Sequence, residues 1–71
     1  MKRIKLARIN ADLSQAELAE KVGVKDYIIS RYETGVSKPD IEKLGMIADA
    51  LGVTTDYLLD RKTKETLPFE L

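Results

Sequence analysis

The sequence predicts an all-α protein, a compact five-helix bundle that forms a single domain. Residues with high helix propensity dominate the 71-residue chain, and no alternating run of β-branched residues of useful length occurs. Four glycines and two prolines divide the chain into short segments, in which apolar residues recur at the three- and four-residue spacing of one helix face.

The composition excludes several classes of protein. The chain has no Cys and no His, which excludes disulfides and the common zinc sites, so the apolar core must stabilise the fold alone. No apolar run approaches the roughly 18 residues of a membrane span, and no apolar region follows the basic start to form a secretory signal. We therefore expect a cytoplasmic protein without a membrane partner.

The charges are unevenly distributed, although the net charge is zero. Residues 1–38 have eight Lys or Arg against five Asp or Glu, a net charge of +3. Residues 39–71 have four against seven, a net charge of −3. A basic face can then meet a polyanion while an acidic face points away from it. A split of this size also arises by chance in a short chain, so charge alone is a weak indication.

Helix one is predicted over residues 2–11. Leu6 and Ile9 fall on a second side of this helix, where they either widen the buried stripe or face a partner. Asp12 follows the helix, and Asp tolerates the left-handed conformation better than most residues do. The stripe with the i, i+3, i+4, i+7 spacing of one helix face is Ile4, Ala7, Arg8 and Ala11.

Helix two has the clearest start. Ser14 and Glu17 have the spacing of a capping box, in which the hydroxyl and the carboxylate each accept a backbone N–H of the other residue. Leu13 precedes the cap and Leu18 follows at the spacing of a hydrophobic staple. Gly23 ends this helix after about two turns.

Three further helices are predicted. Helix three extends from about residue 25 to 34, helix four from 41 to 51 with Asp40 as its cap, and a short helix five begins at Thr54. Gly45 lies inside helix four at a cost of roughly 1 kcal/mol relative to Ala, which close helix packing would explain. The residues expected to be buried are Val24, Ile29, Tyr32, Leu44, Ile47, Ala48 and Leu51.

The joint between helices two and three is the most informative feature for function. About three residues around Gly23 connect the two helices, and helices joined so closely cross at a steep angle, as in a helix-turn-helix. Ala19 lies where the two helices would cross, and a larger side chain would push them apart. Gly23 permits the tight turn through a positive φ.

The residues around this joint belong to a longer pattern with fixed spacings: Ser14-Gln15, Leu18-Ala19, Gly23-Val24, Ile29 to Glu33, Gly35, Pro39, Leu44, Ile47-Ala48, Leu51 to Val53 and Tyr57-Leu58. This pattern resembles the lambda-repressor-like (Cro/cI-type, or XRE) helix-turn-helix family over about residues 2–60. The resemblance implies a bundle whose third helix enters the DNA major groove, and therefore a sequence-specific transcriptional regulator, more often a repressor than an activator. It also implies a homodimer on two half-sites about one DNA turn (~34 Å) apart.

The same resemblance implies base contacts from helix three, by Lys25, Asp26, Tyr27, Ser30 and Arg31. Arg31 can bind O6 and N7 of guanine together, and Lys25 can reach guanine or phosphate. Asp26 can accept from a cytosine amine or repel wrong sequences, and stabilisation of the helix N-terminus is an equally good reason for its presence. Tyr27 can contact a phosphate or a thymine methyl. The simpler alternative is that Tyr27 is a surface aromatic residue without a contact to DNA. An ordinary solvated helix face is the alternative for Lys25 and Arg31.

Further roles come from the same resemblance. Gln15, at the start of helix two, matches a phosphate-binding position, which suits a helix N-terminus. Ser37 and Lys38 match phosphate contacts in the loop after helix three. Arg8 and Glu33 match a partly buried ion pair, so we assign both to structure.

Three residues depart from the family pattern. Lys25 replaces the usual Ser or Thr at the cap of helix three, which loses a cap worth about 1 kcal/mol. Ile28 stands where a small polar residue is common, and it either contacts thymine methyls or packs. Asp12 replaces a common Gly. These departures leave the predicted fold unchanged.

The remaining predictions concern other functions and the chain's organisation. Without His, Cys or a phosphate-binding glycine loop, we expect no enzyme, no metal, no cofactor and no small-molecule ligand. The alternative function is a protein-interaction module, antitoxin-like or a phage-control partner, with secondary DNA binding. Residues 1–60 form the predicted domain, and residues 61–71 a charged tail that is either flexible or contacts a second copy.

Overall fold

A computed structural model describes residues 1–59 of the chain, and the predicted tail over residues 61–71 lies outside them. Within the described residues the five predicted helices are confirmed and no β-strand occurs. The longest helix has 11 residues, and none of the described helices is long and apolar enough to cross a membrane. The helices are α1 (Lys2–Asn10), α2 (Gln15–Val22), α3 (Asp26–Thr34), α4 (Ile41–Leu51) and α5 (Thr55–Leu58).

Helix boundaries follow the capping residues. Ser14 accepts from the Glu17 amide while the Glu17 carboxylate accepts from the Ser14 amide, which confirms the predicted capping box. Asp40 and Thr54 each accept a backbone N–H at the start of α4 and α5. Gly23 has a φ of +85°, the left-handed conformation that a tight turn into α3 requires.

Two boundaries differ by one residue from the prediction. Helix α1 ends at Asn10, and Ala11 is an exposed capping residue that does not extend the buried stripe. The next residue, Asp12, has a φ of +61°, so the chain leaves α1 through the left-handed region without a glycine. Helix α3 begins at Asp26 because Lys25 has extended backbone and its side chain accepts no hydrogen bond.

The core lies where α2 packs against α3 and α4, and α1 covers the side formed by α3, α4 and α5. Ala19 is buried, as expected for a residue at the closest approach of two helices. Val24 was expected to be buried and is only half-buried, against the edge of the core. The buried apolar residues are Ile4, Ala7, Leu18, Ala19, Val22, Ile29, Tyr32, Leu44, Ile47, Ala48, Leu51 and Leu58.

The proposed reason for Gly45 is wrong. A methyl group built on Gly45 would meet no atom within 4 Å outside its own helix turn and chain neighbours, so no neighbouring helix approaches closely. The glycine therefore lowers the helix propensity of α4 without a packing benefit.

Candidate nucleic-acid interface

Helix α3 has one buried side and one open side. Ile29 and Tyr32 anchor the helix in the core, and Ile29 is fully buried. Lys25, Tyr27 and Arg31 are exposed, and Tyr27 keeps 60% of its surface. The chain's own described residues therefore leave this outer side free for a ligand. Of the other residues assigned to bases, Asp26 is exposed and Ser30 is half-buried.

The N-terminus of α3 combines backbone donors with a cation. No side chain caps the first turn. The Ile28 amide donates to the Lys25 carbonyl at 3.0 Å, and the Asp26 and Tyr27 amides are left for water or a ligand. Lys25 lies at this cap, and it adds a positive charge to the positive end of the helix dipole. Asp26 follows in the first turn, where its carboxylate stabilises the helix and limits the local positive charge. The turn is suited to anionic or polar groups approached end-on.

The loop after α3 folds back onto Arg31. The Ser37 amide donates to the Arg31 carbonyl at 3.2 Å, and Arg31 Nε donates to Ser37 Oγ at 3.4 Å. Within residues 1–59 the Arg31 guanidinium makes no other recorded hydrogen bond, so its two Nη groups are available. The half-buried Ser37 therefore contacts the Arg31 side chain, a contact that the sequence analysis did not foresee.

Gln15 lies at the first position of α2, and its amide is tied to α3. Gln15 Nε2 donates to Glu33 Oε1 at 3.0 Å, and the side chain is half-buried. A side-chain amide has two N–H donors and one carbonyl acceptor, so one donor and the carbonyl remain for another group. Gln15 can still donate its remaining N–H to a phosphate, but the hydrogen bond to Glu33 restricts the orientation of its side-chain amide.

Arg8 and Glu33 form a close ion pair between α1 and α3. Arg8 Nε lies 2.6 Å from Glu33 Oε2, and a second guanidinium nitrogen lies 3.3 Å from Oε1. A third nitrogen donates to the Leu13 carbonyl at 2.8 Å. The two side chains are only 12% and 2% exposed. This two-point geometry holds α1, α3 and the chain at Leu13 together. It leaves little of either charged group exposed to a partner.

The amino group of Met1 also contacts α3. It donates to the Tyr32 carbonyl at 2.6 Å and lies 3.5 Å from the Glu33 carbonyl. The last carbonyls of a helix lack partners within the helix, and here a donor 31 residues away in sequence supplies one. No local pattern in the sequence indicates so distant a contact.

The cations of the loop and of α1 lie close together. Lys38, which is exposed, lines the same groove as Lys2 and Arg3. By contrast, α4 exposes the acidic residues Glu42 and Asp49. Among residues 1–59 no group of three or more acidic side chains could hold a metal ion. The local chemistry therefore combines hydrogen-bond donors and positive charges near α3 and its loop.

Comparison with known proteins gives consistent matches along the described residues. The model of a family described as helix-turn-helix matches residues 4–58. The chain is 35% identical over 80% of its length to the SPbeta prophage-derived uncharacterized HTH-type transcriptional regulator YonR of Bacillus subtilis. It is 38% identical over 84% of its length to the HTH-type transcriptional regulator ImmR of the same organism. The chain spans about half the length of these two relatives, 53% and 47%.

A solved structure matches at the level of the fold and of the sequence. The P22 c2 repressor protein in complex with the synthetic operator 9T aligns with a TM-score of 0.77 and 35% identity. The alignment covers 80% of this chain and 86% of the repressor chain. The five helices therefore have the arrangement of a helix-turn-helix domain that was crystallised with DNA.

Proposed function

Because this chain belongs to the XRE, or lambda-repressor-like, helix-turn-helix family, we propose that it is a sequence-specific DNA-binding transcriptional regulator that acts as a repressor. The observation that supports this most directly is the open side of α3, where Lys25, Tyr27 and Arg31 are exposed while Ile29 and Tyr32 anchor the helix. A rigid helix with one free polar side fits the major groove of B-form DNA.

Base contacts come from α3 in this proposal. Arg31 binds guanine O6 and N7 through its two Nη groups, and Lys25 reaches guanine or a nearby phosphate. Tyr27 contacts a thymine methyl or a phosphate. Asp26 accepts from a cytosine amine or disfavours wrong sequences by charge. Ser30, which is half-buried, contacts a base only if the helix lies deep in the groove.

Phosphate contacts fix the position of α3 on the duplex. Gln15 offers its remaining N–H at the N-terminus of α2, and Lys38 and Ser37 offer a cation and a hydroxyl from the loop after α3. Arg8 and Glu33 stabilise the fold and touch no DNA. Among the relatives, the P22 c2 repressor is named in complex with an operator, which supports operator DNA as the ligand of this chain.

The proposal extends to assembly and location. One domain of this size buries too little surface for tight specific binding, so two copies would bind half-sites about one DNA turn (~34 Å) apart. We place the protein in the cytoplasm with its DNA, as a binding protein and not as an enzyme.

The test is selection of bound sequences from a random duplex library, followed by a salt titration on the selected site. We expect an enriched motif with two half-sites, and an affinity that falls steeply as salt rises, by a logarithmic slope of about −0.9 per phosphate contact. A protein-interaction module with secondary DNA binding would enrich no motif. Failure to bind any duplex at low ionic strength would contradict the proposal.

A further inference from the structure

A groove of about 550 Å³ lies between the N-terminal part of α1, the end of α5 and the loop after α3. Leucine side chains form its apolar part, and Leu6 and Leu59 remain 50% and 43% exposed there. Three cations border it: Lys2, Arg3 and Lys38. Arg3 also lies over the ring of Tyr57, 4.6 Å from its centre, which fixes one edge of the groove.

This lining specifies the chemistry of an occupant. Exposed leucines favour a partner with apolar side chains, because contact removes the apolar surface of both from water. Lys2 and Lys38 at the border of the groove favour carboxylates and disfavour basic peptides. The matching partner is therefore a short peptide that has large apolar side chains and acidic residues but no Lys or Arg.

We propose that the segment 65–71 of this same chain docks in the groove. Its sequence is Glu-Thr-Leu-Pro-Phe-Glu-Leu, with two carboxylates, no basic residue and three large apolar side chains. Pro68 disfavours the helical conformation of the residue before it. In an extended segment Leu67, Phe69 and Leu71 would share one side, since side chains alternate along an extended chain. That side fits the leucines, and Glu65, which lies on the same side, fits the cations, whereas Glu70 lies on the opposite side.

The connection to the groove is short enough. Leu59, the last described residue, itself lines the groove. Residues 60–64 then connect it to the docking segment and span at most about 17 Å when extended. A linker of this length gives an effective concentration of about 1 mM or more. Even a weak contact between segment and groove would then be populated within one molecule.

Docking would compete with DNA, and this consequence rests on the proposed function. Lys38 borders the groove and is also assigned to a phosphate, so a docked Glu65 would neutralise a charge that the duplex needs. If about half of the molecules are docked, duplex binding would be about twofold weaker than in a chain with an undocked tail. The docking itself does not depend on DNA.

The 71-residue chain contains a single Phe, so 4-fluorophenylalanine places one ¹⁹F reporter, at Phe69. The free peptide 65–71 with the same label gives the reference position. We expect Leu6→Gln and Leu59→Gln each to move the reporter towards that reference. Ile41→Gln is the matched control, because Ile41 is 91% exposed and does not line the groove. It should leave the reporter in place. Thermal unfolding of each variant checks that the fold is intact.

Three results would overturn the docking proposal. The reporter of the native chain could coincide with the free peptide, the two groove variants could leave it unchanged, or its position could depend on protein concentration, which would assign the occupant to a second copy. Duplex binding by a Leu67→Ser/Phe69→Ser chain is measured separately, with an expected gain of about twofold. If the reporter responds as expected but no duplex binds, the docking stands and the proposed function fails.

Discussion

In the proposed function, base recognition depends most on Arg31, since its two Nη groups are available while Nε donates to Ser37. We expect Arg31→Ala to weaken binding to the selected site by about 1–3 kcal/mol, the value of one good bidentate contact with guanine. Binding to random duplex should fall much less. Fluorescence anisotropy with both duplexes measures the two affinities.

Lys38→Ala is the matched comparison for Arg31→Ala, because both changes remove one exposed cation. A phosphate contact contains no sequence information, so this variant should lose similar affinity on both duplexes and reduce the salt slope by about 0.9. If Arg31→Ala instead behaves in the same way as Lys38→Ala, then Arg31 does not contact bases.

Glu33 is the buried charged residue of the part of the chain that the structure describes. Its carboxylate accepts from Arg8 and from Gln15 in a nearly buried position. Removing one partner of a buried ion pair leaves the other charge uncompensated, so Glu33→Ala should lower the free energy of unfolding by about 3–5 kcal/mol. Urea denaturation measures this loss.

The control for Glu33→Ala is Glu20→Ala, an exposed glutamate on α2. A surface substitution of this kind changes stability by about 0.5 kcal/mol or less. Equal effects of the two substitutions would show that the Arg8–Glu33 contact adds nothing beyond a surface charge.

The sequence predicted some individual residues and missed the contacts between others. The capping box at Ser14 and Glu17 could be predicted because both partners lie within one helical turn. The contact from Gln15 to Glu33 could not, because its partners are 18 residues apart and meet only after α2 and α3 pack. The Arg8–Glu33 pair was expected only through the family resemblance. The spacing of residues along one helix is enough to predict a contact within a single turn. A contact between residues distant in sequence depends on how the helices pack.

At the scale of helices, the cap of α2 has the clearest energetic role. Ser14→Ala removes the acceptor for the Glu17 amide, and we expect a loss of about 1 kcal/mol in the free energy of unfolding. Glu17→Gln is the conservative control, because Gln can make the reciprocal bond of a capping box. A Ser14→Ala variant as stable as the native chain would mean that water replaces the cap at no cost.

Helix α4 offers the opposite change. Gly45→Ala should raise the free energy of unfolding by up to about 1 kcal/mol, because Ala has the higher helix propensity. The added methyl would meet no neighbouring atom within 4 Å. Thermal and urea denaturation both measure the gain, and a loss of stability would show that the site is more crowded than the structure indicates.

The helices also show where sequence patterns suffice. The end of α2 and both ends of α4 were predicted correctly from glycines and capping residues, because these signals act within a few residues. The end of α1 and the start of α3 shifted by one residue, at positions without a glycine or a side-chain cap. The interpretation of Gly45 failed because close approach between helices cannot be deduced from one helix alone.

At the scale of the whole molecule, the fold and the exposed side of α3 follow from the sequence together. Buried residues on α3 and exposed cations on its other side appear in the sequence as one helix with two faces. The groove at the end of α5 could not be predicted, since it forms from three segments that are distant in sequence. The charge asymmetry between the two halves corresponds in part to cations near α3 and acids on α4.

The central claim is that the open side of α3 is the surface that meets DNA. Amide chemical-shift mapping of the full chain with its selected duplex tests this directly. We expect the largest changes at residues 25–31, with further changes at Gln15, Ser37 and Lys38. Changes centred on Glu42 and Asp49 of α4, with α3 unaffected, would contradict it.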